Sequence, residues 1–431
     1  MAIEIRPVTR AETKEYLRVL PFVNGLPQEE PEPSAWYAGQ AAWPPQVPAT
    51  EADLVRYVDE VQSDWYRPQA AFVDGTIAGA SGIVSVQVTI PGQRQVALGG
   101  VTSTGVLPTY RRRGLLRKIM TAMLEDCVQR GEFLAGLSAS EATIYGRYGF
   151  GPATFQHRWE MRRTDAAFRD DFEDPGSLKL VDASVAAEVW ATLHEQVRAV
   201  RVGEISALPG KWEGLASAGL PADGTGPAHH LLHRNASGEV DGAAVFRLPW
   251  SLDPAQAGAL QVSAFEALNL AAYRALWGLL TDFDLTNRVV AARRPVDEPL
   301  RWMLTNSRAP KITRTRDNLW LRILDVRRAL EARAYAVADV LVLDVADDLL
   351  GSNGGRWRLD ASPQGATCTA VSGESADLSL SVADLGSLYL GGMSAVVLLH
   401  AGRLAEHTAG AASRLDALLR QERAPYNAVG F

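Results

Sequence analysis

Three consecutive arginines, Arg111, Arg112 and Arg113, precede Gly114 in the run VLPTYRRRGLLRKIM, inside a chain of 431 residues with a formal net charge of -7. Upstream, VALGGVTSTGVL reads as a strand. Downstream, Leu116, Ile119, Met120, Met123, Leu124 and Cys127 recur at helical spacing and predict an amphipathic helix that ends at Gly131. A strand, an Arg/Gly loop and a helix in that order gather backbone N–H groups at a positive helix end, where a phosphate binds readily. Gly114 lets the backbone approach without a Cβ, and guanidinium groups meet phosphate oxygens in pairs. Cations at a helix N-terminus oppose its dipole, so the arrangement costs stability unless an anion binds. The expected ligand is a pyrophosphate. GxxxxGK[ST] is absent and no GxGxxG follows a strand here, which excludes a Walker loop and a dinucleotide fingerprint.

The next strand, FLAGLSAS, delivers Ser140, Glu141 and then Tyr145 and Tyr148 of IYGRYGFG. A tyrosine hydroxyl with its ordinary pKa near 10 is protonated at neutral pH and can donate to a developing anion. On the residues alone, either tyrosine could do this or could simply pack. Phe22, Trp36, Trp65 and Trp212 are candidate walls of an amine pocket, Trp36 foremost, with Glu29, Glu30 or Glu32 adding negative charge. His194, His229, His230 and His407 have no metal-ligand spacing, and no metal is expected.

Around these residues the pattern predicts an opening strand IEIRPV, a short helix from Thr9 to Val19, a long Pro- and aromatic-rich stretch from Pro21 to Pro48, and a helix from Leu54 to Gln62. AAFVDGTIAGA predicts a hairpin turning at Asp74-Gly75, and SGIVSVQVTI continues the meander into the arginine loop. From about Phe155 to Pro310 a second unit loosely repeats this order but has no second RRRG, so its phosphate cradle is lost. A last unit begins near Leu319 with LWLRILDVRRALEAR. The expected partition is 1–154, 155–318 and 319–431, with an α+β (mixed α/β) fold class.

Length agrees, since a domain per roughly 150 residues gives about three. A hydrophobic fraction of 47% and a charged fraction of 22% describe a globular chain, and no apolar run reaches the length of a membrane helix. MAIEIRPVTR lacks the apolar core of a signal peptide, so a cytoplasmic protein is expected. The negative charge excludes non-specific nucleic-acid binding and suits a cationic small molecule. Cys127 and Cys368 stand far apart without a CxxC and read as buried apolar residues.

VLPTYRRRGLL followed by a helix, a strand and YGRYGFG resembles the GCN5-related N-acetyltransferases, whose Arg/Gln-x-x-Gly-x-Gly/Ala signature binds the pyrophosphate of acetyl coenzyme A. Leu116 stands where that signature has a small residue. More narrowly, GVTSTGVLPTYRRRGLL, SASEATIYGRYGFG, the degenerate second unit, LWLRILDVRRAL and the terminal Phe resemble the enhanced intracellular survival family along essentially the whole chain. The resemblance implies two acetyltransferase-like domains, a sterol-carrier-protein-like domain, a homohexamer, and acetylation of aminoglycosides and other polyamines at several positions. It places coenzyme contacts on Thr104, Gly105 and Val106, on Arg111, Arg112, Arg113, Gly114, Leu115, Leu116 and Arg117, and on Ser140 and Glu141. It selects Tyr145 as general acid and the carboxylate of Phe431 as general base, with direct transfer through a tetrahedral intermediate. The family usually has an acid beside the terminal Phe, where this chain has Gly430. The alternatives are a protein-lysine acetyltransferase and a non-catalytic acyl-coenzyme A or lipid-binding regulator.

Overall fold

The computed structural model describes residues 2–24, 58–59, 61–217, 226–248, 258–284 and 286–431, with side chains omitted at 21–24. Three sheets organise the described residues. The first has seven strands: β1 (Ile3–Pro7), β2 (Tyr66–Val73), β3 (Thr76–Ile90), β4 (Arg94–Val106), β5 (Leu134–Ser138), then β14 (Leu319–Ile323), then β6 (Gly151–Pro152). Asp74 and Gly75 take the positive φ angles (49° and 83°) that a two-residue hairpin requires between β2 and β3. The helix Leu115–Gln129 lies on one face of this sheet. Of its expected apolar stripe, Ile119, Met120, Met123, Leu124 and Cys127 are buried, while Leu115 is buried in place of the expected Leu116, which is half-buried.

The second sheet contains β7 (Phe155–Arg162), β8 (Ser177–Val181), β9 (Ala228–Arg234), β10 (Val240–Arg247), β11 (Ala259–Ala267), β12 (Arg288–Pro295) and β13 (Lys311–Asp317), in the spatial order β8-β9-β10-β11-β12-β7-β13. The two orders match position for position. In each sheet five successive strands are followed by one strand taken from elsewhere and closed by a short edge. The first sheet receives Leu319–Ile323, antiparallel to β5 on one side and β6 on the other. The second receives Phe155–Arg162, antiparallel to β12 and β13. The two units thus exchange one strand each. Leu319–Ile323, read from sequence as the start of the last unit, lies in the core of the first sheet.

The exchanging chains meet at 153–155 and 317–319. Ala153 N and Thr154 N donate to Leu319 O (2.9 and 3.2 Å), Asn318 N donates to Thr154 O (3.0 Å), and Leu319 N donates to Thr154 Oγ1 (2.9 Å). A third sheet follows, ordered β17-β16-β15-β18-β19, with β15 at Asp339–Ala346, β16 at Gly355–Ser362, β17 at Gly365–Ala370, β18 at Leu378–Ser381 and β19 at Leu404–Glu406. Its helix Val382–Tyr389 packs against β14 and β6. The third unit is therefore seated on the first sheet.

The two are also joined by charge. Arg322 of β14 is fully buried, and its Nη2 donates to both carboxylate oxygens of Asp347 (2.8 and 2.7 Å), which is itself nearly inaccessible. Removing one member of such a pair leaves the other charge uncompensated in the interior, at a cost of about 3–5 kcal/mol. Asp347→Ala is accordingly expected to lower the unfolding free energy of the full chain, read from urea titration, by an amount of that order. The double substitution Arg322→Met with Asp347→Leu is expected to recover only part of the loss, because Asp347 also accepts from Leu349 N, Leu350 N and Asn353 Nδ2.

Candidate functional site

β4 and β5 run parallel for only two residue pairs, Gly99 with Ala135 and Gly100 with Gly136. Beyond them the strands separate into a fork, with Val101–Val106 on one arm and Leu137–Ser138 on the other. Ser103, at a positive φ of 54°, sits where the β3–β4 register shifts, and this local bulge turns β4 away from β5. The arm of β4 carries the expected Thr104, Gly105 and Val106. Gly105 and Val106 pair with Ala80 and Gly79 of β3, so this arm is tied down on the side away from the fork.

The arginine loop closes the open end of the fork. Gly114, at φ 73°, caps the helix Leu115–Gln129, and the first helical bond runs from Lys118 N to Gly114 O (3.2 Å). The N–H groups of Leu115, Leu116 and Arg117 therefore belong to the turn that lacks intrahelical acceptors. A Cβ at Gly114 would meet nothing within 4 Å, so that side of the loop is open. Arg111, Arg112, Arg113 and Arg117 are exposed, Leu115 is buried and Leu116 half-buried against the core. Arg111 Nε reaches Val106 O (3.5 Å), Arg113 Nη2 reaches Thr109 O (3.4 Å), and the Arg113 guanidinium lies 5.3 Å from the Tyr110 ring centre. These long contacts orient the arginine side chains along the loop.

On the other arm, β5 leads through Ser140 and Glu141 into the short helix Ala142–Tyr145. Tyr145 is 9% exposed; burial raises its pKa first, the Ser140 hydrogen bond opposes that, and Glu141 and Tyr148 add to it. Ser140, Glu141 and Tyr145 are thus brought together at the fork. Tyr148 is also buried and raised, with Arg147 and Arg117 acting against the shift.

The expected base, the end of the chain, is held from a distance. Rather than fraying, as chain ends commonly do, residues 424–431 are built into the molecule. Ala424 N donates to Asp297 Oδ2 (3.0 Å) and Tyr426 N to Val202 O (2.9 Å). Buried Asn427 accepts from Thr154 Oγ1 (2.7 Å) and, at its backbone carbonyl, from Asn318 Nδ2 (3.0 Å), so it bridges the point where the two strands are exchanged. Ala428 N and Val429 N donate to the carboxylate of Glu204 (2.8 and 3.3 Å). The Phe431 ring fills the space left at Gly100, where a Cβ would come within 2.9 Å of it. Gly100 is the last β4 residue paired with β5. The chain end therefore lies at the base of the fork, on the sheet face opposite Cys127 and its helix.

Trp65 and Trp212 pack against the same apolar cluster as Phe431, although Trp65 also contacts Tyr66 edge-on (5.9 Å) and Trp212 stacks on Trp190 (5.8 Å) in the second unit. Phe22 lies on the helix Thr13–Asn24, within the stretch whose side chains are omitted. Trp36, Glu29, Glu30 and Glu32, and most of the helix expected at Leu54–Gln62, lie outside the described residues. Sequence spacing did not foretell one grouping: His194, Glu204 and Glu266, all buried, bring ligand-type atoms within 4.8 Å of one another. His194 Nε2 bonds to Ile205 O (2.9 Å), and the Glu204 carboxylate accepts from Ala428, Val429 and Ile205 N–H groups. No linear motif joins these positions.

Comparison with known proteins identifies the domains. Models of the acetyltransferase (GNAT) domain match residues 4–153 and 209–323, and a sterol carrier protein domain model matches 326–428. The chain is 34% identical to an N-acetyltransferase of Streptomyces griseus, covering 99% of each. It is 32% identical to N-acetyltransferase Eis of Mycobacterium tuberculosis, covering 87% of this chain and 88% of that one. The crystal structure of Eis1 from Mycobacterium abscessus superposes with a TM-score of 0.82 at 31% identity, covering 100% of both chains. Two acetyltransferase folds, a sterol-carrier fold and a full-length match place this chain in the enhanced intracellular survival family of GCN5-related N-acetyltransferases.

Proposed function

We propose that this N-acetyltransferase acts on multi-amine small molecules such as aminoglycosides, at one or more amines, with Tyr145 as general acid and the Phe431 carboxylate as general base. The observation that carries the reading is the built-in chain end: the Phe431 ring is seated on Gly100 at the base of the β4–β5 fork. A flexible tail would not be packed there.

The residues present fit acetyl coenzyme A, which would supply the acetyl thioester. The free arm of β4 at Thr104–Val106 is suited to hydrogen-bond the pantetheine amides, and Arg111–Arg113 with the N–H groups of Leu115–Arg117 face the pyrophosphate. Leu116 is half-buried against the core, so its side chain leaves the backbone N–H accessible. Ser140 and Glu141 border the reacting end.

The amine nitrogen must lose a proton and the departing sulfur must gain one. The terminal carboxylate, with a reference pKa of about 3.3–3.7, is ionised at neutral pH and accepts the first, directly or through water. Tyr145 supplies the second; burial keeps its hydroxyl protonated into the alkaline range. Cys127 is buried in mid-helix with a strongly raised pKa, caused first by desolvation and then by Glu132, so it does not act as an acyl carrier. The chain's charge of -7 favours cationic substrates, and Trp65, Trp212, Phe22 and Trp36 would wall the amine pocket. A cytoplasmic homohexamer built from units 1–154, 155–318 and 319–431 completes the proposal.

Release of coenzyme A measured with tobramycin, spermidine and a lysine peptide tests the substrate class. Turnover of the first two supports the reading, turnover of the peptide alone favours a protein-lysine enzyme, and coenzyme binding without any turnover favours a regulator. Tyr145→Phe is expected to lower kcat by about 10²–10⁴-fold with little change in the KM for acetyl coenzyme A. In the wild type, the alkaline fall in kcat belonging to Tyr145 is expected above about pH 10. Arg112→Ala and Arg113→Ala are each expected to raise that KM about tenfold, increasingly so at low salt. One residue appended after Phe431 is expected to remove most turnover while leaving coenzyme binding intact.

A further inference from the structure

The second sheet has a fork of its own. β11 and β12 run parallel from Ala259 with Arg288 to Val262 with Ala291, and there the pairing stops. Arg293, at φ 53°, lies within the register shift between β12 and β7, as Ser103 lies within a shift of the first sheet. The connection leaving β11 differs from the one leaving β4. After Ala267 the chain enters the helix Leu270–Thr281 almost at once, capped by Asn269 Oδ1 accepting from Ala272 N (2.9 Å). There is no room for an eight-residue arginine loop such as 107–114, so this fork holds no phosphate cradle.

The tail of the same chain forms one wall of it instead. The cleft between Ser263–Glu266 and Ala292–Arg294 is walled by Tyr426, Ala428 and Val429. The Tyr426 hydroxyl donates to Arg293 O, and the Arg201 guanidinium lies 5.3 Å from the Tyr426 ring centre. Glu204 then ties the tail to the catalytic unit. Its carbonyl accepts from Thr89 N of β3 (2.9 Å), and Gly203 N donates to Thr89 O (2.7 Å), so its main chain is stitched to the first sheet. Its side chain, fully buried, takes the N–H groups of Ala428 and Val429. Nearby Glu266 has its pKa pushed up to about 8 by burial and by Glu204, against Arg294 and Arg201. Negative charge is therefore disfavoured on Glu266 beside Glu204.

We propose that Glu204 is a positioning residue for the Phe431 carboxylate, and that the fork of the second sheet serves as the dock for the chain's last residues. This rests on the reading of the terminal carboxylate as general base. Glu204 never meets substrate; it fixes the backbone two and three residues before the end. A displacement of about 1 Å at a reacting group can cost roughly 10² in rate, and a charged acceptor holding two successive N–H groups prevents one.

The test uses the full chain. Glu204→Gln keeps the volume but places an amide where two N–H donors converge. Steady-state kinetics and amide exchange of the C-terminal peptide are measured on this variant, on Glu204→Asp, and on a chain with one glycine appended after Phe431. Support is a roughly 10²-fold loss of kcat in Glu204→Gln, an acetyl coenzyme A KM within about twofold of wild type, faster exchange in residues 426–431, and partial recovery in Glu204→Asp. Wild-type kcat and unchanged tail exchange in Glu204→Gln would overturn the proposal. If the glycine-extended chain keeps full turnover, it is the terminal-base reading that fails, and tail exchange still decides whether Glu204 docks the tail. Should Glu204→Gln fail to fold, Ala428→Pro removes a donor from the tail side without touching the core. Lost kcat with a faster-exchanging tail then supports the role of Glu204, and wild-type kcat rejects it.

Discussion

The crossing of two strands at Thr154 and Asn318 is the constraint on which the molecule's organisation rests. In each acetyltransferase sheet the exchanged strand joins the run of five strands to its edge strand, Gly151–Pro152 in the first and Lys311–Asp317 in the second, and the exchange is sealed by backbone bonds between 153–154 and 318–319. Separating the units would strip Leu319–Ile323 from between β5 and β6 and expose five residues that are all buried. The relative placement of the two sheets is therefore fixed by hydrogen-bonded pairing rather than by surface contact alone. That rigidity matters because the tail reads its position from the crossing: Asn427 bonds to Thr154 on one strand and Asn318 on the other.

The two forks show how one fold element can serve two ends. In both sheets a parallel pair opens after a short ladder and a residue at positive φ. In the first, eight residues between strand and helix allow a left-handed Gly114 and a run of arginines at the helix N-terminus, an arrangement that is unfavourable unless an anion balances it. In the second, Asn269 caps the helix directly, its side chain taking the Ala272 N–H. The chain's own last residues then form one wall of the slot.

Local features were legible in the sequence because their causes are local. Asp74-Gly75 specified a hairpin by its φ requirements, the spacing from Leu116 to Cys127 specified a buried helix face, and the Arg/Gly loop lay where a strand gave way to that helix. The exchanged strands were not legible as such. Leu319–Ile323 has the apolar character of any buried strand, and nothing in its residues says that its partners are Leu134–Ser138, far back in the chain, instead of the neighbouring β15. Glu204 is a lone acid in RVGEIS, and its importance comes from contacts with residues more than two hundred positions away. Tyr145 was separable from Tyr148 only by resemblance; both are buried and both are raised by burial.

The proposed base at the end of the chain would face an entropic difficulty, since a terminus ordinarily samples many conformations and each ordered residue costs roughly 1–2 kcal/mol of backbone freedom. Here that cost is met before substrate arrives. Val429 is buried and its N–H is held by Glu204, while two residues on the Phe431 ring occupies the gap at Gly100. The Cα atoms of Val429 and Phe431 can be at most about 7 Å apart, so Gly430 spans a short distance between two anchored points. Any conformational latitude that glycine has is limited by its neighbours, and the missing acid beside Phe431 costs the chain no anchor, because the anchoring carboxylate comes from Glu204 in the second unit.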